Sequence, residues 1–323
     1  MSKKLSLALR GVFGCAMFLL LFLVLHPREI IAALAHAHLG FFCAGFALCL
    51  AGLAGRAFRW MLIMRHMGLH VPYWRVLEVY TISYWFNTFM PGSMGGDLFK
   101  MYDISRASTK KIRPAVTVLA ERITGVLALL VVAVAALALF HDKVPVPPWV
   151  LALILKGVAV VIVLALVGML RFKACWSLLS RMFPFVRRFL SAERARTIGV
   201  VFEEMRRKPV LFVEAFVLGL GIQVLVLATY YVLALAITQE IPGVYFFTLF
   251  PLIEITSLIP ITINGIGIKE GLLVFSLQYA EVGAAFAMGL GILFRIVALM
   301  LAALGGLLLV LRKPSGWTTQ IRT

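Results

Sequence analysis

Charged residues are scarce in this chain. Lys, Arg, Asp and Glu make up 14% of its 323 residues and hydrophobic residues make up 62%, whereas a soluble domain usually carries about a quarter charged residues. The four cysteines form no C-x-x-C pair, so we expect neither a disulfide framework nor a cysteine-based zinc site. The six histidines lie near the ends of apolar segments and predict no metal site. The composition therefore excludes an ordinary soluble domain.

Common catalytic signatures are also missing. The sequence contains no H-E-x-x-H zinc motif, no G-x-S-x-G nucleophile elbow and no G-x-x-x-x-G-K-[ST] phosphate-binding loop. Without such a loop, we expect no ATP-driven transport by this chain alone. We predict that the chain is not an enzyme and that it needs no cofactor.

Long apolar runs dominate what is present. A run of about 18 or more apolar residues predicts a membrane-spanning helix, because about 20 helical residues cross the hydrocarbon core. The runs are too long and too continuous for the alternating strands of a membrane barrel. We interpret the first run as an uncleaved helix rather than a signal peptide, because Arg28 and Glu29 separate it from a candidate cleavage site. The sequence predicts an all-α polytopic membrane protein with about six full spans, at 11–25, 30–55, 115–140, 150–170, 210–237 and 282–311.

The net charge of +17 is concentrated between the apolar runs. Lys and Arg in short loops mark the cytoplasmic side of a membrane protein. Arg56, Arg59, Arg65 and Arg75 mark one such stretch, and 100–113 and 171–208 mark two more. We therefore predict a bacterial-type cytoplasmic (inner) membrane protein with both termini in the cytoplasm. Nucleic-acid binding is not expected, because the chain has little polar surface for it.

Two apolar segments are interrupted by proline and glycine. The segment 76–105 breaks at Pro91, and the segment 244–280 contains Pro260 and breaks after it. Their flanking charges place both ends of the first segment in the cytoplasm and both ends of the second outside. Paired interruptions of this kind indicate the binding site of a transporter built from inverted repeats. We predict two re-entrant helical hairpins, with short interfacial loops as the alternative.

This pattern makes the chain a single membrane domain with an inverted pseudo-repeat. The first half is 1–170 and contains the re-entrant segment 76–105. A basic amphipathic connector at 171–209 lies on the cytoplasmic side and suits an anionic bilayer surface. The second half is 210–323 and contains the re-entrant segment 244–280.

Ionisable side chains deep in apolar segments are candidate site residues, because a charge at the centre of a span costs roughly 3 kcal/mol or more. Arg122, Lys269 and Arg295 would suit a phosphate headgroup. Glu121, Glu254 and Glu270 would suit a cationic headgroup or a proton relay. A purely structural pair between Glu254 and either Lys269 or Arg295 is a further alternative, and the sequence leaves these interpretations open.

Four stretches resemble the lysylphosphatidylglycerol synthase transmembrane-region family, which is also described as flippase-like and includes hopanoid-associated members. They are 56–60 followed by Gly68, 87–97 with Pro-Gly-Ser-Met-Gly-Gly-Asp leading to Lys100 and Tyr102, 121–125 with Glu-Arg-Ile-Thr-Gly, and 259–271 with Gly-Ile-Gly-Ile-Lys-Glu-Gly. The resemblance implies two inverted halves and movement of lipids between leaflets. We expect a stand-alone member without the soluble aminoacyl-transferase domain of the larger members, and Lys269 stands where arginine is common.

The motifs and the buried charges together define the predicted substrate-binding set: Arg59, Ser93, Asp97, Glu121, Arg122, Glu254, Asn264, Lys269, Glu270 and Arg295. The favoured function is a flippase for a phospholipid, hopanoid or polyprenyl-linked lipid. One alternative is a membrane-embedded lipid-headgroup transferase with Asp97 or Glu270 as general base. Another is a non-transporting partner subunit that docks through 171–208. Anionic or lipid-linked membrane lipids are the expected partners, and a lipid-synthesising enzyme and a second copy of the chain are further candidates.

Overall fold

The computed structural model describes residues 37–89, 94–107, 113–140, 206–237, 242–256, 265–278 and 282–312, with single residues or short pieces elsewhere. Several predictions fall outside this described part. They are the spans 11–25 and 150–170, most of the connector 171–209, and the site residues Ser93 and Asn264.

Every long regular element in the described part is an α-helix, which confirms the all-α class. The helices are α1 Leu39–His66, α2 Tyr73–Phe89, α3 Met94–Ala107, α4 Arg113–Phe140, α5 Pro209–Leu235, α6 Gly243–Thr256, α7 Ile268–Leu277 and α8 Ala284–Leu311.

Four of these helices, α1, α4, α5 and α8, contain 27 or 28 residues and are apolar enough to cross a membrane. At 1.5 Å per residue each is about 40 Å long, which exceeds a hydrocarbon core of about 30 Å. Much of their surface is apolar and exposed, as at Val213, Leu307 and Val310. The chain is therefore a multi-pass membrane protein.

Local sequence sets several helix boundaries. Proline occupies the first turn of α4 at Pro114 and begins α5 at Pro209, where its missing N–H group would have no helical partner. Helix α1 ends at His66, and Gly68, two residues beyond it, has a φ of 74°, which lies in the left-handed region that favours glycine.

Helices α2 and α3 form the first hairpin, and both of its ends lie at one end of the bundle. Arg312, which follows α8, contacts Glu78 near the start of α2 and Asp103 near the end of α3, with Nε and Nη1 each 3.0 Å from a carboxylate oxygen. At this same end, called here the basic end, Arg113 donates to the carbonyl of Met67 at 2.7 Å. The starts of α2 and α4 and the ends of α1, α3 and α8 therefore meet there.

Helices α6 and α7 form the second hairpin, whose ends lie at the opposite end of the bundle. His38, before α1, donates its backbone N–H to Ala236, after α5, at 2.6 Å. Gly243 begins α6 against the ring of Tyr231 near the end of α5. The backbone N–H of Val282 bonds Leu277 at 3.2 Å, which keeps the end of α7 close to the start of α8. The two hairpins thus approach the centre of the bundle from opposite ends.

Several helix contacts recur when the two halves are exchanged. Helix α1 packs on α5, α2 packs on α8 as α6 packs on α4, and α3 packs on α4 as α7 packs on α8. At the α2–α8 contact, Gly305 lies so close to the backbone of Thr81 that a methyl group there would overlap its carbonyl oxygen. The exchange is incomplete, because α4 packs closely on α5 whereas α8 makes little or no contact with α1.

Helix α1 overturns one detail of the sequence interpretation. Arg56 and Arg59 were expected to mark a cytoplasmic stretch, but the helix continues to His66 and carries both arginines inside the bundle. Arg59 is only 6% exposed and lies near Glu121. A buried charge is tolerated within a helix when it contacts a buried side chain of opposite charge. Counting apolar residues along the sequence does not detect such a partner, and the helix was therefore expected to end too early.

Candidate functional site

A cavity of about 440 Å³ lies between the two hairpins and the long helices. This is within the range of roughly 300–1,000 Å³ that is usual for small-ligand sites. Its wall includes all eight described members of the predicted substrate-binding set: Arg59, Asp97, Glu121, Arg122, Glu254, Lys269, Glu270 and Arg295. The remaining two, Ser93 and Asn264, lie outside the described residues.

The charged groups lie well inside the bundle. Arg295 is near the middle of α8, and Glu121 is about 12 Å along α4 from its start at the basic end, at 1.5 Å per residue. Asp97 and Lys269 lie in the first turns of α3 and α7, which are the second helices of the two hairpins and begin near the hairpin tips. The hairpins therefore carry charge towards the centre of the structure.

Glu121 is the centre of the first cluster of charges. Its carboxylate accepts hydrogen bonds from the Tyr80 hydroxyl at 2.8 Å and from Lys100 at 3.0 Å. A guanidinium nitrogen of Arg59 lies 3.6 Å away. Glu121 is 3% exposed, so its charge is neutralised by side chains and not by water. Lys100 also lies over the rings of Trp60 and Tyr80, 5.3 and 4.4 Å from their centroids.

Each hairpin forms an equivalent ion pair with the long helix that follows it. In the first half, Asp97 at the start of α3 pairs with Arg122 of α4 at 2.8 Å. In the second half, Glu270 at the start of α7 pairs with Arg295 of α8 at 2.5 Å. An acid in the first turn of a helix is also favoured by the helix dipole. Each hairpin is thus tied to the long helix that follows it.

Glu270 has a second role at the start of α7. It accepts the backbone N–H of Gly267 at 2.8 Å and so caps the helix. Gly267 has a φ of 83°, which disfavours a side chain at that position.

Glu254 forms the second cluster. It accepts hydrogen bonds from the Tyr230 hydroxyl at 2.5 Å and from Lys269 at 3.1 Å. Of the two partners considered from the sequence, Lys269 is therefore the one that Glu254 contacts in the structure, while Arg295 contacts Glu270. Aromatic rings of Tyr230, Phe250 and Phe294 pack together beside this cluster, so charged and apolar surfaces lie side by side in the cavity.

Sequence reasoning missed two charged residues of the described cavity wall. Lys100 was assigned to a basic loop, yet it is 5% exposed and bridges Asp97 at 3.1 Å and Glu121 at 3.0 Å. Its spacing of three from Asp97 on one helix face was a usable signal. Arg56 was assigned to a cytoplasmic stretch, but it lines the cavity and donates to the Tyr84 hydroxyl at 2.6 Å.

Other acids lie away from the cavity, near the basic end, as their positions near segment starts predicted. Glu78 pairs with Arg75 at 2.6 Å, and Glu214 pairs with His66 at 3.0 Å. A hydrogen bond from Arg207 lowers the pKa of the exposed Glu203. Within the ranges that the structure covers, no group of three or more His, Cys, Asp or Glu is placed to hold a metal ion.

Fold and site together define a polytopic helical membrane protein with a charged cavity between two internal hairpins. The sequence profile described as "Lysylphosphatidylglycerol synthase TM region" matches residues 7–306, and the chain belongs to this family. A comparison with curated proteins gave no match. Membership of the family indicates a function connected with membrane lipids.

Proposed function

We propose that this protein is a flippase, which moves a phospholipid, hopanoid or polyprenyl-linked lipid between the leaflets of the bilayer. The observation that carries the proposal is the central cavity, where charged side chains lie beside apolar ones between the two hairpins. A lipid headgroup needs polar contacts to cross the hydrocarbon core, whereas its tails do not. A cavity of mixed character at mid-depth offers such contacts.

The hairpin geometry supports membrane insertion from opposite faces. Both ends of the first hairpin lie at the basic end, and both ends of the second lie at the other end. We propose that the two hairpins are re-entrant and that the basic end faces the cytoplasm of an inner membrane, because Lys and Arg mark that side. This orientation puts the end of α8 in the cytoplasm, and we propose a cytoplasmic N-terminus as well, because the expected span 11–25 precedes α1.

Spin labels test the re-entrant arrangement. Leu98 lies on α3 near the tip of the first hairpin and is 55% exposed, and Trp74 lies at its start and is 76% exposed. In a background without the native cysteines, a label at Leu98→Cys should be relaxed more by membrane-soluble oxygen than by a water-soluble nickel complex. A label at Trp74→Cys should show the reverse. Equal access of the nickel complex to both sites would show that the hairpin tip is not in the membrane.

Reconstituted vesicles test the transport function. Purified protein in liposomes should equalise a headgroup-labelled phospholipid between leaflets, measured as the fraction that added dithionite bleaches. Glu254→Gln should slow this movement at least tenfold, because it leaves Lys269 without its carboxylate partner at 3.1 Å. The matched control is Glu214→Gln, because Glu214 pairs with His66 outside the cavity.

The same vesicles separate the alternatives. Movement of label without any change in lipid mass supports a flippase and the proposal that the chain is not an enzyme. A change in headgroup mass would identify a transferase. No movement from the purified chain, with movement restored by a lipid-synthesising partner, would identify a subunit of a larger complex.

A further inference from the structure

The charges of the described residues that line the cavity do not balance. Among these residues, positively charged side chains outnumber carboxylates by two: Arg56, Arg59, Lys100, Arg122, Lys269 and Arg295 against Asp97, Glu121, Glu254 and Glu270. An uncompensated charge at membrane depth is costly, and a bound anion would remove this cost. The imbalance therefore favours an anionic ligand.

All four carboxylates are already engaged. Glu121 and Asp97 share Lys100, Glu254 contacts Lys269, and Glu270 contacts Arg295, each within 3.1 Å. A cationic headgroup would have to displace one of these internal partners before it could bind. The sequence left open whether these acids bind a cationic headgroup, and their geometry argues against it.

Arg56 differs from the other cations of the cavity. Within the described part of the chain it has no carboxylate at ion-pair distance, and its guanidinium donates to the neutral hydroxyl of Tyr84 at 2.6 Å. Arg59, three residues later on α1, is 6% exposed and also lines the cavity. Its Nε has no hydrogen-bond partner within the described residues. Residues three apart share one face of a helix, so α1 offers two guanidinium groups with donors to spare.

Apolar residues border the same space. Phe250, Phe294 and Leu301 line the cavity together with the charged groups. A ligand that suits both surfaces is an amphiphile whose anionic part is small and oxygen-rich. Arginine matches phosphate oxygens well, because its planar group donates two parallel hydrogen bonds.

We propose that Arg56, supported by Arg59, binds the phosphate of an anionic lipid headgroup in this cavity, and that the transported lipid carries net negative charge. This inference rests on the proposed flippase function. It names Arg56 as a substrate-binding residue, and it assigns the cavity carboxylates to holding Lys100, Lys269 and the hairpin arginines in place.

Binding in detergent tests this inference without any transport step. The thermal midpoint of the full chain is measured against increasing short-chain phosphatidylglycerol, short-chain phosphatidylcholine and inorganic phosphate. We expect phosphatidylglycerol to stabilise the protein at the lowest concentration. Arg56→Gln should weaken this effect at least tenfold, because it removes a charge-assisted hydrogen bond to the phosphate. Arg56→Lys should retain part of it, and Arg65→Gln, at an exposed position on the same helix, should change nothing.

Several outcomes would overturn the inference. Equal or tighter binding of phosphatidylcholine by the wild-type protein would refute the anionic preference, whether or not the variants fold. Inorganic phosphate acting as strongly as phosphatidylglycerol would refute a lipid as the source of the phosphate. Unchanged binding in Arg56→Gln would remove the residue from the site.

Failure of the inference and failure of the flippase proposal are distinguishable. Binding that depends on Arg56, in vesicles that move no lipid, leaves this inference standing and rejects transport. Lipid movement that is equally fast in Arg56→Gln and shows no charge preference supports transport and rejects the inference.

Discussion

Removing the charge of Glu121 should destabilise the fold substantially. Its side chain is 4% exposed and the side chain of Lys100 is 6% exposed, with 3.0 Å between Oε2 and Nζ. Arg59 lies 3.6 Å from the other oxygen, and its side chain is 7% exposed. Among the described ion pairs of this cluster, Glu121→Gln would leave only the carboxylate of Asp97, which contacts Lys100 and Arg122.

The size of the effect follows from this geometry. Two unit charges 3.0 Å apart attract with about 5.5 kcal/mol at an effective dielectric constant near 20, and water cannot replace the lost partner at such low exposure. Breaking a buried pair by removing one member typically costs about 3–5 kcal/mol. We expect Glu121→Gln to lower the free energy of unfolding by about 3 kcal/mol or more.

A double-mutant cycle isolates the pair. Lys100→Met alone should cost less than Glu121→Gln, because Arg59 and Arg122 still balance the two carboxylates of the cluster. The double variant should cost less than the sum of the two single variants by about 2 kcal/mol, because no charge of the pair is then left unpartnered.

Unfolding in mixed micelles, followed by far-ultraviolet circular dichroism during a denaturant titration, supplies the free energies. Glu203→Gln is the control, because Glu203 is an exposed acid outside the cavity with Arg206 and Arg207 as partners, and surface pairs contribute little. Strict additivity of the two single changes, or a cost for Glu121→Gln equal to that of the control, would refute the reasoning.

Three further predictions concern packing, the basic end and the second cluster. Gly305→Ala should destabilise the protein by about 1–3 kcal/mol, because the methyl group would meet the backbone of α2. Gly221→Ala is the control, because a methyl group there has open space. If the Gly221→Ala protein melts no higher than the Gly305→Ala protein, this prediction is wrong. Arg312→Gln should increase hydrogen exchange in both helices of the first hairpin, since it removes the contact with Asp103 at 3.0 Å; unchanged exchange would contradict the link. Lys269→Arg should retain lipid movement in vesicles and Lys269→Met should lose it, because the contact with Glu254 at 3.1 Å needs a cation. Equal rates of lipid movement in the two variants would show that position 269 does not need a positive charge.

Much of the fold follows from linear features of the sequence. Runs at 115–140, 210–237 and 282–311 predict long helices, and the structure has them at α4, α5 and α8, because a segment that is apolar over about 20 residues has little alternative to a spanning helix. The interruptions near Pro91 and Pro260 predict paired hairpins, and α2–α3 and α6–α7 approach the bundle centre from opposite ends.

Part of the candidate site could also be predicted from the sequence. A charge inside an apolar segment is conspicuous by itself, which is why Glu121, Glu254 and Arg295 could be selected. Arg56 could not, because it adjoins a basic stretch and a linear pattern does not distinguish a buried cation from a loop cation. Lys100 was missed for the same reason, although its spacing of three from Asp97 was a signal.

By itself, the sequence determined the class of protein, the helical segments and the carboxylates that need partners, because each depends on composition and spacing along one chain. Only the tertiary structure decided which charges meet. Arg312 contacts Asp103 across 209 positions, and Arg56 donates to the hydroxyl of Tyr84 and has no carboxylate at ion-pair distance among the described residues. Ion pairing acts over a few ångströms, and the local sequence around a charged residue does not indicate which distant helix folding will bring within that distance.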